Sequence, residues 1–205
     1  MKKIIAIAAA LGAAAVQLPA EKANYFNFVI SAPIQSVSES VDSGTLATDV
    51  ISVAVGISSR RMFSTFAGLY ATVNIAFPQK LDFKIEGDGS SYSRVRGDYS
   101  NLFGFDFLIG PAIAPITTKR FSLILAPGLH FEMLSEQLEG DSDSAALTIY
   151  GGLAADIFAQ FHLTKFFNIS AGIQAAYDFL MFRNGSKLDG RKATFAPKIA
   201  AGFTL

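Results

Sequence analysis

The sequence predicts an all-β chain, an antiparallel transmembrane β-barrel of about eight strands with long external loops and short periplasmic turns, and three observations carry that reading. The run from Phe166 to Met181 alternates, with Phe167, Ile169, Ala171, Ile173, Ala175, Tyr177 and Phe179 set against Asn168, Ser170, Gly172, Gln174, Ala176 and Asp178. A period of two means an extended strand, because successive side chains point to opposite sides of the pleat. The 205-residue chain is 51% hydrophobic, with a mean hydropathy of +0.37, yet beyond its amino-terminal segment every apolar stretch is broken by charge, Gly or Pro. Such a chain can cross hydrocarbon only as a closed barrel, since lipid offers no partner to an open sheet edge. The polar connections between the alternating segments are long and short in turn, as in a bacterial barrel.

Taken in order, the first strand is read at Asn24 to Ala32, with Phe26, Phe28 and Ile30 toward lipid. The second, Leu46 to Ile57, points Ile51, Val53, Val55 and Ile57 outward and Ser52, Ala54 and Gly56 inward. In the third, Met62 to Phe77, the outward set includes Phe63, Leu69, Val73 and Ile75 and the inward set Ser64, Tyr70, Thr72 and Asn74. The fourth, Tyr99 to Ile113, sets Phe103, Phe105, Phe107 and Ile109 against Gly104, Asp106 and Gly110.

The fifth strand, Phe121 to Leu134, faces Leu123, Leu125, Leu129, Phe131 and Met133 outward and Ser122, Gly128, His130 and Glu132 inward. The sixth, Ala145 to His162, opposes Leu147, Ile149, Leu153 and Ile157 to Thr148, Tyr150, Asp156 and Gln160. The seventh is the Phe166 to Met181 run. The eighth, Thr194 to Leu205, sets Phe195, Ile199, Phe203 and Leu205 against Thr194, Lys198 and Thr204. Pro111, Pro127 and Pro197 cannot donate to a ladder and are expected at bulges or strand ends.

The long connections are Ser36 to Thr45, Pro78 to Asp98, Ser135 to Ser144 and Arg183 to Ala193. The short ones are Ser58 to Arg61, Thr117 to Arg120 and Thr164 to Lys165. A first connection that is long, and short turns on the periplasmic side, put both termini in the periplasm.

The amino terminus reads as a secretory signal over residues 1–20. Lys2 and Lys3 precede an apolar run from Ile4 to Val16 and a Leu18-Pro19-Ala20 exit. That run is shorter than the roughly 20 residues of a membrane-spanning helix. Cleavage is placed after Ala20, with Ala15 and Ala23 as alternatives, leaving residues 21–205 as one barrel domain. The absence of cysteine excludes disulfides, thiolate metal sites and a lipidated cysteine, and the zero formal net charge gives no reason to expect a nucleic-acid partner.

Phe63, Phe121, Phe161, Phe167 and Phe203 fall near the short-turn ends of their strands, and Phe77, Tyr99, Phe131 and Phe179 near the long-loop ends. Those are the places of two interfacial girdles. With its signal, strand grammar, loop alternation and terminal strand APKIAAGFTL, the chain resembles the small bacterial outer-membrane barrels, the class of the OmpA membrane domain and the OmpW family. In that class the last strand usually ends in an aromatic residue and is read by the barrel-assembly machinery. Ile199, Ala201 and Phe203 keep the alternation, but this strand ends at Leu205. The resemblance implies outer-membrane lipids as the surroundings and, through OmpW, small hydrophobic solutes as partners.

Candidate chemistry is confined to the lumen and the loops. Asp106, His130, Glu132, Asp156, Asp178 and Lys198 all take inward parity. An eight-stranded barrel has an interior just wide enough for side chains to fill, so these groups either form a plug, with Lys198 neutralising Asp178 across the last hairpin, or line a gated polar path. His130 and His162 start near opposite strand ends, and a metal site needs three or four convergent ligands, so no metal or other cofactor is expected. No Gly-x-Ser-x-Gly elbow occurs and no spacing gathers a triad, so no enzyme is expected. The second long loop is basic at Lys80, Lys84, Arg94 and Arg96, and the fourth at Arg183, Lys187, Arg191 and Lys192. The third is acidic, and Asn184-Gly185-Ser186 matches a glycosylation sequon. Two function classes follow: a narrow channel or transporter for small or hydrophobic solutes, and a structural or adhesive surface barrel acting through its loops.

Overall fold

In a computed structural model of the protein, residues 23–41, 44–86 and 89–205 are described, and the signal segment 1–20 lies outside the described residues. Eleven strands follow in order: β1 (Asn24–Ser31), β2 (Ile34–Val41), β3 (Gly44–Met62), β4 (Ala67–Glu86), β5 (Ser91–Val95), β6 (Tyr99–Thr117), β7 (Phe121–Leu138), β8 (Ala146–His162), β9 (Phe167–Arg183), β10 (Ser186–Leu188) and β11 (Gly190–Thr204). Helical structure among the described residues is limited to two 3-10 turns, Arg96–Asp98 and Ser142–Ser144, and no described helix is long and apolar enough to cross a membrane.

The eleven strands make eight staves. β1 and β2 pair with the same neighbours, β3 and β11, and their register runs on across the break, from Ser31↔Ala54 to Ile34↔Ile51. The interruption is Pro33, which has no N–H to give, while its carbonyl still accepts from Ser52 N at 2.9 Å. β5 only folds back on the far part of β4, and β10 on β9. The remaining ladders run β3–β4–β6–β7–β8–β9–β11, and the pairing of β11 with β1 closes the ring. Every pairing is antiparallel. The wall that results exposes Phe28, Ile51, Val53, Ile109, Leu129, Leu153, Ile173 and Ile199. A solvated protein could not afford that belt; a bilayer requires it.

The short turns share one construction. Ser64 Oγ accepts from Ala67 N, Thr118 Oγ1 from Phe121 N and Thr164 Oγ1 from Phe167 N, at 2.9, 3.0 and 2.9 Å. A hydroxyl in this position satisfies an N–H that the hairpin leaves over. The first of these turns corrects the expected Ser58 to Arg61 connection: β3 continues to Met62 and the chain reverses at residues 63–66.

The four long connections are also corrected, since three are largely strand and the other, Ser135 to Ser144, is strand over its first four residues. Ser36 to Thr45 belongs to β2 and β3 apart from residues 42–43, which lie outside the described residues. Pro78 to Asp98 is the far part of β4 with β5, and Ser135 to Leu138 extends β7. Arg183 to Ala193 contains the tight Asn184-Gly185 turn, both residues at positive φ (50° and 83°), followed by β10 and the start of β11. Two positive φ values are what a type I′ hairpin turn demands. The prolines are corrected in part: Pro111, Pro127 and Pro197 sit within strands and face outward.

Pro111 and Pro127 do interrupt one ladder. β6 and β7 are paired at Ile109↔Leu129 and again at Ile113↔Leu125, with no residue paired between. Outside this seam the wall carries an apolar dent of about 490 Å³ between Pro111, Pro127, Leu129 and Leu153.

Inward glycines let strands and lumen side chains approach closely. A Cβ on Gly152 would stand 2.1 Å from Tyr177 O and 2.6 Å from Asp178 Cα, whereas one on Gly151, facing outward, meets nothing nearer than Leu180 Cβ at 3.6 Å. Gly152→Ala should therefore lose about 1–3 kcal/mol, the usual cost of overpacking, and Gly151→Ala close to none. Urea unfolding of the refolded barrel measures both, and equal losses would contradict the inward assignment of Gly152.

Candidate functional site

The lumen is filled rather than open. Toward the long-strand end an apolar cluster of Val37, Val50, Leu81, Leu102, Leu134 and Met181 spans the interior, with Tyr150 among them. Toward the short-turn end a second cluster holds Met62, Tyr70, Leu108, Ile124 and Phe158. Buried charges lie between and within these layers, where the low dielectric makes any unpaired ion expensive.

Below the vestibule at the long-strand end, the first ions are Glu132 and Lys192. They form a salt bridge, and Gln35 Nε2 donates to both Glu132 oxygens at 2.9 and 3.0 Å. Lys192 Nζ also stands 4.1 Å from the Tyr150 ring centroid and 3.5 Å from Asp178 Oδ2. One step deeper, His130 lies between two carboxylates, with Nδ1 2.7 Å from Asp178 Oδ1 and Nε2 2.5 Å from Asp106 Oδ2. Asn74 Nδ2 donates to the other Asp106 oxygen at 2.7 Å, and Gln174 Nε2 approaches Asp106 at 3.4 Å. Below these, Lys198 is bonded to the fully buried Asp156. At the short-turn end Arg60 Nη2 donates to Gln160 Oε1 at 2.6 Å, and its guanidinium lies 4.0 Å from the Tyr25 ring centroid.

Both His130 nitrogens face carboxylate oxygens, an arrangement that an imidazolium satisfies by donating from both ring N–H groups. With His130 as a cation, the four carboxylates Asp106, Glu132, Asp156 and Asp178 are equalled in number by His130, Lys192, Lys198 and Arg60, of which the first three pair with them directly and Arg60 lies on Gln160 and Tyr25. The column is electrically balanced. Ligand-type atoms of Asp106, His130 and Glu132 lie within 4.8 Å of one another, but His130 uses both nitrogens on carboxylates, and Lys192 already supplies the positive charge that a metal would bring.

Asp106, His130, Glu132, Asp156, Asp178 and Lys198 are all brought into the column, but the expected pairing is corrected. Lys198 binds Asp156 and lies opposite Gly172, whereas Asp178 lies opposite Lys192. Lys192 itself is no external loop residue; it is 1% exposed and points into the lumen. Gln35, Glu39 and Arg60 were missed. Each continues a visible parity, Gln35 and Glu39 that of Asn27, Val29 and Ser31, and Arg60 that of Ala54, Gly56 and Ser58.

The other loop cations disperse. Lys80 is on the outer face of β4, where it donates to Asp82 at 2.7 Å and holds that carboxyl below the usual range. Lys84, Lys187 and Arg191 are exposed, and Arg96 donates to Leu102 O with its guanidinium 6.0 Å from the Phe77 ring centroid. Arg94 and Arg183 instead line a vestibule of about 210 Å³ at the long-strand end, floored by Val37, Val50, Leu81 and Leu134 and walled by Phe83, Tyr92, Tyr99 and Tyr150. Phe83 and Tyr92 stack at 4.7 Å, and Arg183 reaches Glu39 at 3.4 Å and Thr148 at 3.2 Å.

No protein-family model matches the sequence, and no curated protein matches it. Among solved structures, the chain is similar to the outer membrane protein OprG from Pseudomonas aeruginosa, at 13% identity and a TM-score of 0.62, over 91% of this chain and 96% of that one. It is matched more loosely to Ail, the attachment invasion locus protein of Yersinia pestis, at 14% identity and a TM-score of 0.49 over 90% of this chain and 99% of that one. Neisserial surface protein A is matched at 13% identity and 0.49, over 85% of this chain and 95% of that one.

Proposed function

The fold is that of the small outer-membrane β-barrels, and from that premise we propose that the protein resides in a bacterial outer membrane as a narrow, gated path for small or hydrophobic solutes. The observation that carries this reading is the vestibule resting directly on the ionic column. Tyr150 is shared by both, lining the vestibule and lying against Lys192. A solute seated on the apolar floor therefore touches the group that closes the lumen. The short-turn end, where Asn24 and Leu205 meet, faces the periplasm in this reading, and insertion relies on the barrel-assembly machinery. No cofactor and no enzymatic step are part of it.

The test is binding and conductance together. A naphthylamine fluorophore should bind the refolded protein saturably, and Leu134→Arg, which puts a charge in the floor, should weaken it about tenfold or more. In planar bilayers the wild type should stay mostly closed, with openings made more frequent by the same probe. Failure to bind the probe, together with silence in its presence, would overturn the reading. The alternative, a surface barrel acting through its exposed segments, is favoured by one feature, the β4–β5 hairpin with exposed Lys80 and Lys84.

A further inference from the structure

The two ends of the barrel differ in charge. Among the described residues, the short-turn end has no Asp or Glu in the turns or in the five strand residues flanking each of them. It carries instead four exposed cations: Arg61 at the end of β3, Lys119 and Arg120 in the β6–β7 turn, and Lys165 in the β8–β9 turn. The long-strand end mixes both signs, with Asp141, Asp143 and Asp189 beside Lys187 and Arg191.

Three of the four stand next to the outermost aromatic side chains of the wall. Arg61 lies 6.0 Å from the Phe63 ring centroid. Arg120 precedes Phe121, which packs on Phe161 at 5.2 Å, and Lys165 precedes Phe166, 72% exposed. Aromatic belts mark the edge of the hydrocarbon, so cations level with them, as Arg61 is, or one or two residues beyond, as Lys165, Arg120 and Lys119 are, lie at the depth of lipid phosphates. The cations are also spread around the circumference, at β3, between β6 and β7, and between β8 and β9. A protein partner would contact one side; a headgroup layer surrounds all of them.

We propose that this rim is a collar that binds anionic phospholipid headgroups in preference to zwitterionic ones. The recognised group is a phosphate diester without a compensating ammonium, as in phosphatidylglycerol. The proposal does not depend on any solute path, and it holds for a closed barrel.

The experiment uses the full barrel in mixed vesicles of phosphatidylcholine and phosphatidylglycerol, with chain-labelled lipids of each class reporting by electron spin resonance which is retained at the wall. The wild type should prefer the phosphatidylglycerol label about fivefold, the factor equivalent to ~1 kcal/mol for a basic residue near an anionic surface. The combined change Arg61→Gln, Lys119→Gln, Arg120→Gln and Lys165→Gln should bring the preference close to one, and Lys187→Gln with Arg191→Gln should leave it unchanged. High salt should erase it in the wild type as well, a check that requires no variant to fold. A wild type without preference, a preference that survives the fourfold change, or one lost equally with the long-strand pair would overturn the collar. So would a wild type indifferent to lipid but retained by soluble acidic peptidoglycan fragments, since the cations would then serve a glycan.

Discussion

Lys192→Ala should destabilise the barrel by about 3–5 kcal/mol, the usual cost of removing one partner from a buried ion pair. The ammonium serves Glu132 and Asp178 together, and both carboxylates are almost fully buried. Without it the column would hold one uncompensated negative charge between two apolar layers. Adding Glu132→Gln should recover part of the loss, because the amide needs no counter-ion and Gln35 remains within reach. Lys187→Ala, five residues away and exposed, should be nearly neutral. Urea unfolding of the refolded protein, or the heat at which its compact band shifts on a gel, measures all three. If Lys192 behaved like Lys187, it would lie in solvent and the column as described would be wrong.

A comparable penalty is expected on the outer wall. Ile173 faces outward between Ile157 and Pro197, and its neighbour Gln174 points into the lumen beside Asp106. Ile173→Arg should cost roughly 2–4 kcal/mol, as for a guanidinium at the bilayer midplane. Gln174→Arg should cost less, since the new cation meets Asp106 and Asp156, the second of them directly opposite in register. Folding yield into vesicles separates the two variants. Equal damage would mean that the two faces of β9 are not lipid and lumen.

The faces were legible because hydrocarbon imposes them. Across the bilayer every outward side chain is pressed to be apolar, so Ile51, Val53, Val55 and Ile57 announce β3 without help from any other strand. Beyond the bilayer that pressure stops. In β2 the outward residues beyond Ile34 are Ser36, Ser38 and Ser40, set against an inward Gln35, Val37 and Glu39, so the usual contrast disappears and the segment reads as a polar loop. The same loss of contrast hid the far parts of β4 and β7.

The ion pairing failed for a related reason. Treating Arg183 to Ala193 as a loop put its centre too far along the chain, which set Lys198 against Asp178. The turn is Asn184-Gly185, and from there the register brings Lys192 to Asp178 and Lys198 to Gly172. Asn-Gly between alternating segments is a strong hairpin signal; weighed as a turn instead of a sequon, it would have placed Lys192 in the lumen. Arg60 was lost more simply, to a turn assigned a few residues too early.

The unpaired stretch between β6 and β7 matters for how a closed cylinder bears load. Around the ring, each ladder is a hoop, and the assembly parts where a hoop is thinnest. Here residues 110–112 and 126–128 have no registered partners across the seam, in a part of the wall where lipid cannot supply replacement hydrogen bonds. Elsewhere β6 is held to β4, and β7 to β8, through this same level, at Gly110↔Tyr70 and Gly128↔Ala154. The cylinder is thus one continuously laced sheet whose two edges meet along a looser line between β6 and β7, and slow breathing of the wall should be concentrated there.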